Sequence, residues 1–179
     1  EKDAAGVLKL SDRAFLAEMV QPPAESFLGE QMLVIDPAAI HEARAALRKT
    51  IATQLKDRWQ AHYDACSSVP FSLDADAKAA RKLQGVALSY LAAADEDAAA
   101  DLAFVQFERA DNMTQRLSAL ATLSHGASDK REAAFDIFYN RYRDDALVLD
   151  KWFGLQALSL RDDTLEAAKA LADHADFTL

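Results

Sequence analysis

Residues 36–59 read Asp36-Pro37-Ala38-Ala39-Ile40-His41-Glu42-Ala43-Arg44-Ala45-Ala46-Leu47-Arg48-Lys49-Thr50-Ile51-Ala52-Thr53-Gln54-Leu55-Lys56-Asp57-Arg58-Trp59. The stretch opens on the clearest helix signal in the chain. An Asp side chain can accept from free first-turn amides, and Pro at the first helical position gives up no hydrogen bond. Apolar residues follow at Ile40, Ala43, Leu47, Ile51, Leu55 and Trp59, advancing mainly by fours. Such a stripe drifts ~40° per step around a helix of 3.6 residues per turn, so it cannot face one short partner along its length. The expectation is one long helix over 36–65, lying across several neighbours.

Upstream, 1–35 reads as a lead-in of short helices. Phe15, Leu16 and Met19 have helical spacing before Pro22-Pro23 stops the run, and 24–31 adds a short turn. Downstream, 66–73 is a loop containing Pro70. The region 75–173 reads as helix pairs, with helices over 75–93, 97–109, 113–125, 129–143, 146–159 and 164–173. Asn112 with Gln115, and Asp163 with Glu166, have capping-box spacing, and Gly126 is placed to end a helix in the left-handed conformation. The pairs repeat at roughly 35 residues, as in helical arrays, without a residue-level repeat signature. The fold class is therefore all-α: a superhelical, solenoid-like array of antiparallel helix pairs with irregular repeats. A compact bundle fits the same periodicity.

Composition agrees. Of 179 residues only five are Gly and four Pro, too few for a hairpin-rich fold, and a chain this long buries about 70% of its unfolded surface without staples. A net charge of −9 repels phosphate backbones, and small basic groups such as Lys78, Arg81 and Lys82, or Arg141 and Arg143, lie beside acids; no nucleic-acid partner is expected. Cys66 is the single cysteine, which excludes an internal disulfide. It reads as a packing residue. No apolar run approaches the about 20 residues that span a bilayer, and no signal peptide is visible. No membrane partner is expected, and the expected location is cytoplasmic. Glu1 stands where Met would, so the sequence reads as an excised piece from which targeting information can be missing.

Candidate chemistry is sparse. His41-Glu42 begins a zinc-peptidase motif, His-Glu-x-x-His, which would place two imidazoles on one helical face with Glu as base; Ala45 occupies the second position. His41 and His62 are about 32 Å apart on one helix of 1.5 Å rise and cannot share an ion. His125 and His174 fall at helix ends, where an imidazolium would meet the negative end of the dipole. Asp95-Glu96-Asp97, Asp144-Asp145 and Asp162-Asp163 fall at helix junctions and read as caps, since a calcium loop needs alternating oxygen ligands and a central Gly. There is no Gly-x-Ser-x-Gly elbow and no phosphate-binding glycine loop. Phe135, Phe138, Tyr139 and Tyr142 share a helical face, and Trp152 and Phe153 among Leu147, Leu149, Leu155 and Leu158 form a second apolar centre. No residue is assigned as catalytic or metal-binding, and none as substrate-binding.

Several strings, in order, resemble the distal helical domain of bacterial aminopeptidase N, a zinc aminopeptidase family. They are Val34 to Ile40, Arg44 to Leu47, Ile51 to Leu55, Ala87 to Leu91, Gln106-Phe107, Ala110 to Leu117 (with Asp111-Asn112-Met113-Thr114-Gln115-Arg116-Leu117) and Asp150 to Gln156. The resemblance implies a fragment of the C-terminal α-helical domain of a larger enzyme, over 1–179, truncated at both ends. In that family another domain holds zinc through His-Glu-x-x-His and a downstream Glu, and a Gly-x-Met-Glu-Asn loop binds the substrate amine. Neither motif occurs here, so no site residue carries over and no cofactor is expected in this chain. The implied role is enclosure and gating of the active-site cavity of a peptide-degrading hydrolase. Its implied partners are the catalytic domain of the same polypeptide and peptide substrates. A free-standing helical-repeat scaffold that binds a peptide or protein is the alternative, and an independent hydrolase is a third reading.

Overall fold

Five helices begin where a short polar side chain reaches forward onto the first turn. The computed structural model describes residues 10–178, with side chains from Arg13 onward; the first nine residues of the 1–35 lead-in and Leu179 lie outside the described residues. Asp36, Asp74, Asn112 and Asp145 each accept from the amide three residues on, at 3.0, 2.8, 3.0 and 3.3 Å, and Ser128 Oγ accepts from Lys130 N at 3.3 Å. They open α3 (Pro37–Gln54), α5 (Ala75–Ala94), α7 (Met113–Ser124), α9 (Ala146–Ala157) and α8 (Asp129–Tyr142). The others are α1 (Leu10–Met19), α2 (Glu25–Glu30), α4 (Lys56–Ser67), α6 (Glu96–Arg109) and α10 (Thr164–Ala172). No strand occurs among the described residues, and the all-α reading stands.

The expected single helix over 36–65 is two, α3 and α4, broken at Leu55 with φ −113° and ψ 20°. The cause is local. Thr50 and Thr53 hydroxyls bond back to the carbonyls of Ala46 and Lys49, at 2.8 Å each, which bends a helix. The Trp59 indole N–H then approaches Ile51 O at 3.4 Å, a carbonyl that also accepts from Leu55 N.

Two compact units follow each other in sequence, Glu1–Asp95 and Glu96–Leu179. In the first, α1, α3 and α4 pack against α5. Alanines at 77, 79, 80 and 87 on α5 are buried and allow close approach, while Leu83 and Leu88 are fully enclosed. Each such leucine contributes about 1.5–3 kcal/mol by leaving water. Cys66 is buried in contact with Ala17, Ala80 and Leu83, and burial pushes its thiol pKa up against a smaller opposing effect of Arg13.

In the second unit packing passes along the chain, α6 on α7, α7 on α8, α8 on α9 and α9 on α10. Arg116 of α7 is buried at 9% exposure without a carboxylate. Its Nε donates to Phe107 O at 3.4 Å, its Nη2 to Ala110 O and its Nη1 to the Tyr142 hydroxyl at 2.7 Å. The guanidinium thus satisfies backbone carbonyls at the end of α6, where the helix dipole is negative.

The second apolar centre is smaller than expected. Leu149, Trp152 and Phe153 are buried, but Leu147 and Leu158 are each 76% exposed. The reason is aromatic packing: Trp152 donates to Phe135 O at 3.0 Å, and its ring meets Tyr139 and Phe153 at 5.2 and 4.9 Å, leaving the leucines outside. Gly126 is not left-handed. The Glu96 carboxylate lies 3.0 Å from where a Cβ would stand and accepts from Ala127 N at 3.0 Å. Asp163 caps nothing, because both its oxygens are taken by the Arg161 fork at 2.8 Å.

Candidate functional site

The bend at Leu55 gives the first unit a concavity. A groove of about 690 Å³ runs between α1 and the α3–α4 bend. Leu16 and Met19 form one wall, the turn Val20–Pro23 one end, and Leu47, Ile51 and Leu55 the other wall. Trp59, Arg58 and His62 of α4 complete it. The apolar stripe expected to lie across several neighbours is therefore partly a lining, with Leu47 49% and Leu55 44% exposed, and Met19 of α1 opposite is 65% exposed. The signal was present in the drift of the stripe, which denies it a single partner.

The floor is held by stacked rings. Trp59 lies on Tyr90 of α5 with centroids 4.3 Å apart and planes 4° from parallel, and the Arg48 guanidinium is 5.0 Å from the Tyr90 centroid. Arg48 also donates to Ser89 O at 3.1 Å, and the Tyr90 hydroxyl donates to Val20 O. Burial pushes the Tyr90 phenol pKa up, with Arg48 opposing. Elsewhere on the unit, Glu18 pairs with Lys82, and Glu25 accepts from His41 Nδ1 and Arg44 Nη1 at 3.0 Å each. The His41 bond, then Arg44, holds the Glu25 carboxyl below its usual range against a desolvation effect between them in size. Arg58 is exposed and makes no ion pair among the described residues.

The histidines are dispersed and individually engaged. His41 bonds Glu25, and His62 lies beside Trp59 at 6.4 Å. His125 Nδ1 accepts from Leu160 N at 3.2 Å, and His174 Nδ1 accepts from Asp176 N at 3.1 Å. His174 is enclosed by Tyr139, Trp152 and Phe153, each 5.5 Å away. No three of the His, Cys, Asp and Glu side chains gather as ligands among the described residues. The zinc that the resemblance implies for another domain finds no fitting donor set among the described residues, where His41 bonds Glu25 and Ala45 offers no ligand. Among the described residues no helix is long and apolar enough to cross a membrane.

The strings that carry the resemblance coincide with these anchors: Tyr90 in the stack, Gln106 bonding Gln115 O and Ser118 Oγ at 2.9 Å, Arg116 at the end of α6, and Trp152 on Phe135. They mark architecture. Aminopeptidase N of Escherichia coli (strain K12) is 34% identical over 168 residues, covering 94% of this chain and 19% of that protein. Aminopeptidase N of Caulobacter vibrioides is 35% identical over 181 residues, covering 98% and 21%. The chain spans about a fifth of the length of these curated relatives. Among solved structures, a crystal structure of Legionella pneumophila aminopeptidase A in complex with aspartic acid superposes with a TM-score of 0.82 at 26% identity, over 94% of this chain and 21% of that one. A family model matches residues 4–179, and by that match the chain belongs to the family described as a domain of unknown function (DUF3458_C) with ARM repeats.

Proposed function

We propose that this chain is the non-catalytic helical part of a larger zinc aminopeptidase, where it encloses the active-site cavity and limits which peptides reach the metal. Similarity to aminopeptidase N across 94% of the chain, in residues that build helices and not a metal site, is the observation that carries this reading. Its partners on this reading are the catalytic domain of the same polypeptide and the peptide substrates. Zinc belongs to that catalytic domain, and the location is the cytoplasm, in keeping with a lone buried thiol. Exposed apolar side chains support the reading further. Met32, Leu33, Val34 and Ile35 are 42, 105, 81 and 60% exposed in one run, with Phe27 at 54% nearby in sequence. A free-standing soluble domain rarely shows such a surface uncovered. The scaffold alternative is less favoured for the same reason.

Two measurements test the proposal. The intact reading frame is expected to encode His-Glu-x-x-His upstream of Glu1; a frame without it removes the proposal and leaves the scaffold. The purified 179-residue chain, given zinc and an alanine anilide, is expected to show no turnover. Activity that survives repurification would make the chain an independent hydrolase.

A further inference from the structure

We infer that the groove between α1 and the α3–α4 bend is the seat of one amphipathic α-helix from the longer polypeptide, docked by its apolar face and by a carboxylate opposite Arg58. The inference rests on the proposed place of this chain within a larger protein and adds the docking position and the chemistry of the occupant. Three observations carry it.

The first is the kind of neighbour the fold uses. In ARM-repeat arrays each helical layer buries its apolar face on the next. Here α1, α3 and α4 all pack on α5, yet Met19, Leu47 and Leu55 in the groove lining stay 65, 49 and 44% exposed, and no further helix among the described residues covers them. A helix laid along the bend would give this lining the kind of contact that the buried residues of α5 already have.

The second is charge. Arg58 is the one formally charged side chain among the lining residues, and Glu18 and Glu25, close to the lining in sequence, are engaged by Lys82 and by Arg44 and His41. Arg58 at the lining has no such partner among the described residues, so the rim presents a positive charge in a chain of net charge −9. An occupant with an acidic residue matches it, and a basic one is repelled. The third is length: about four-fifths of each curated relative lies outside the matched region, so a tethered helix is available at high effective concentration.

The test uses Leu47→Glu with Leu55→Glu, both at half-exposed positions, in the 179-residue chain and in the polypeptide of the intact reading frame. In the short chain the melting midpoint is expected to move by less than about 2 °C; in the longer one it should fall by more than about 4 °C. Arg58→Glu should act in the same direction, more weakly. Amide hydrogen exchange over α3 and α4 supplies a second readout on the unaltered proteins, with slower exchange expected in the longer polypeptide. Equal exchange in the two lengths, or a longer polypeptide indifferent to the paired substitutions, overturns the inference while leaving the aminopeptidase reading intact. An equal loss in the short chain overturns it by making these positions core. A dimer of the short chain that the substitutions dissociate overturns it in favour of a second copy. A reading frame that adds no sequence removes both readings together.

Discussion

Replacing Arg116 with methionine should destabilise the chain by about 3 kcal/mol, because the side chain holds backbone that has no other donor in reach. Methionine fills much of the same volume and donates nothing. Phe107 O, Ala110 O and the Tyr142 hydroxyl would all lose their contact with the guanidinium. The half-buried hydroxyl can turn to water, which leaves two carbonyls at about 1–3 kcal/mol each. An opposing effect exists: a buried guanidinium without a carboxylate carries a desolvation cost that its removal returns. Here the end of α6 solvates the cation with its partial negative charge, so the return is small and the stranded carbonyls decide the sign. For a chain of this length the midpoint should fall by roughly 6–12 °C, read by far-ultraviolet circular dichroism. Arg116→Lys keeps the charge but reaches fewer acceptors, and should lie between the two. A methionine variant that melts within about 2 °C of the unaltered chain, or above it, would refute this assignment of Arg116.

Gly126→Ala should lower stability by about 0.5–1 kcal/mol, because its Cβ displaces the Glu96 carboxylate from Ala127 N. In the Glu96→Gln background a thermal melt should show less of that loss. Acid should destabilise the fold below the ordinary carboxylate range. Glu25, Asp74 and Asp163 are held below their usual values chiefly by His41, Ser72 and Arg161 respectively. A depressed folded value means stability fully present above the unfolded value near about pH 4 and lost as pH falls through the folded one. All three groups are exposed, so the midpoint should stay flat from neutral pH to about pH 5 on their account and decline gently below about pH 4. Asp163→Asn should make that decline shallower. Cys66, buried and with its pKa raised, should resist an aromatic disulfide reagent until denaturant is added; prompt labelling would contradict its place in the core.

Helix starts were legible because capping is local. Asp36 and Asn112 do in the fold what their spacing promises within four residues of chain. The failures share a different origin. Asp163 has the cap spacing, but Arg161 two residues earlier offers a planar fork that outcompetes a backbone amide. Gly126 follows a helix end, yet Glu96, thirty residues away in sequence, decides what stands beside it. The Leu55 break has local contacts, the Thr50 and Thr53 back-bonds and the Trp59 indole on Ile51 O, but the indole is also stacked on Tyr90, which its own helix does not reveal. Periodicity identified Leu47, Ile51 and Leu55 as one apolar stripe but could not tell enclosure from lining. The strings of the resemblance were legible as a family mark, and the structure gives four of them an architectural anchor, at Tyr90, Gln106, Arg116 and Trp152.

Tyr90 has a consequence beyond its ring contacts. Four segments converge on that one phenol: the turn after α1 through Val20, α3 through Arg48, α4 through Trp59, and α5, which bears it. No wall of the cleft can swing outward by itself, since each is fastened to the same hub. An occupant of the cleft would therefore be chosen for a shape that already fits its width, with little adaptation of the host to its guest.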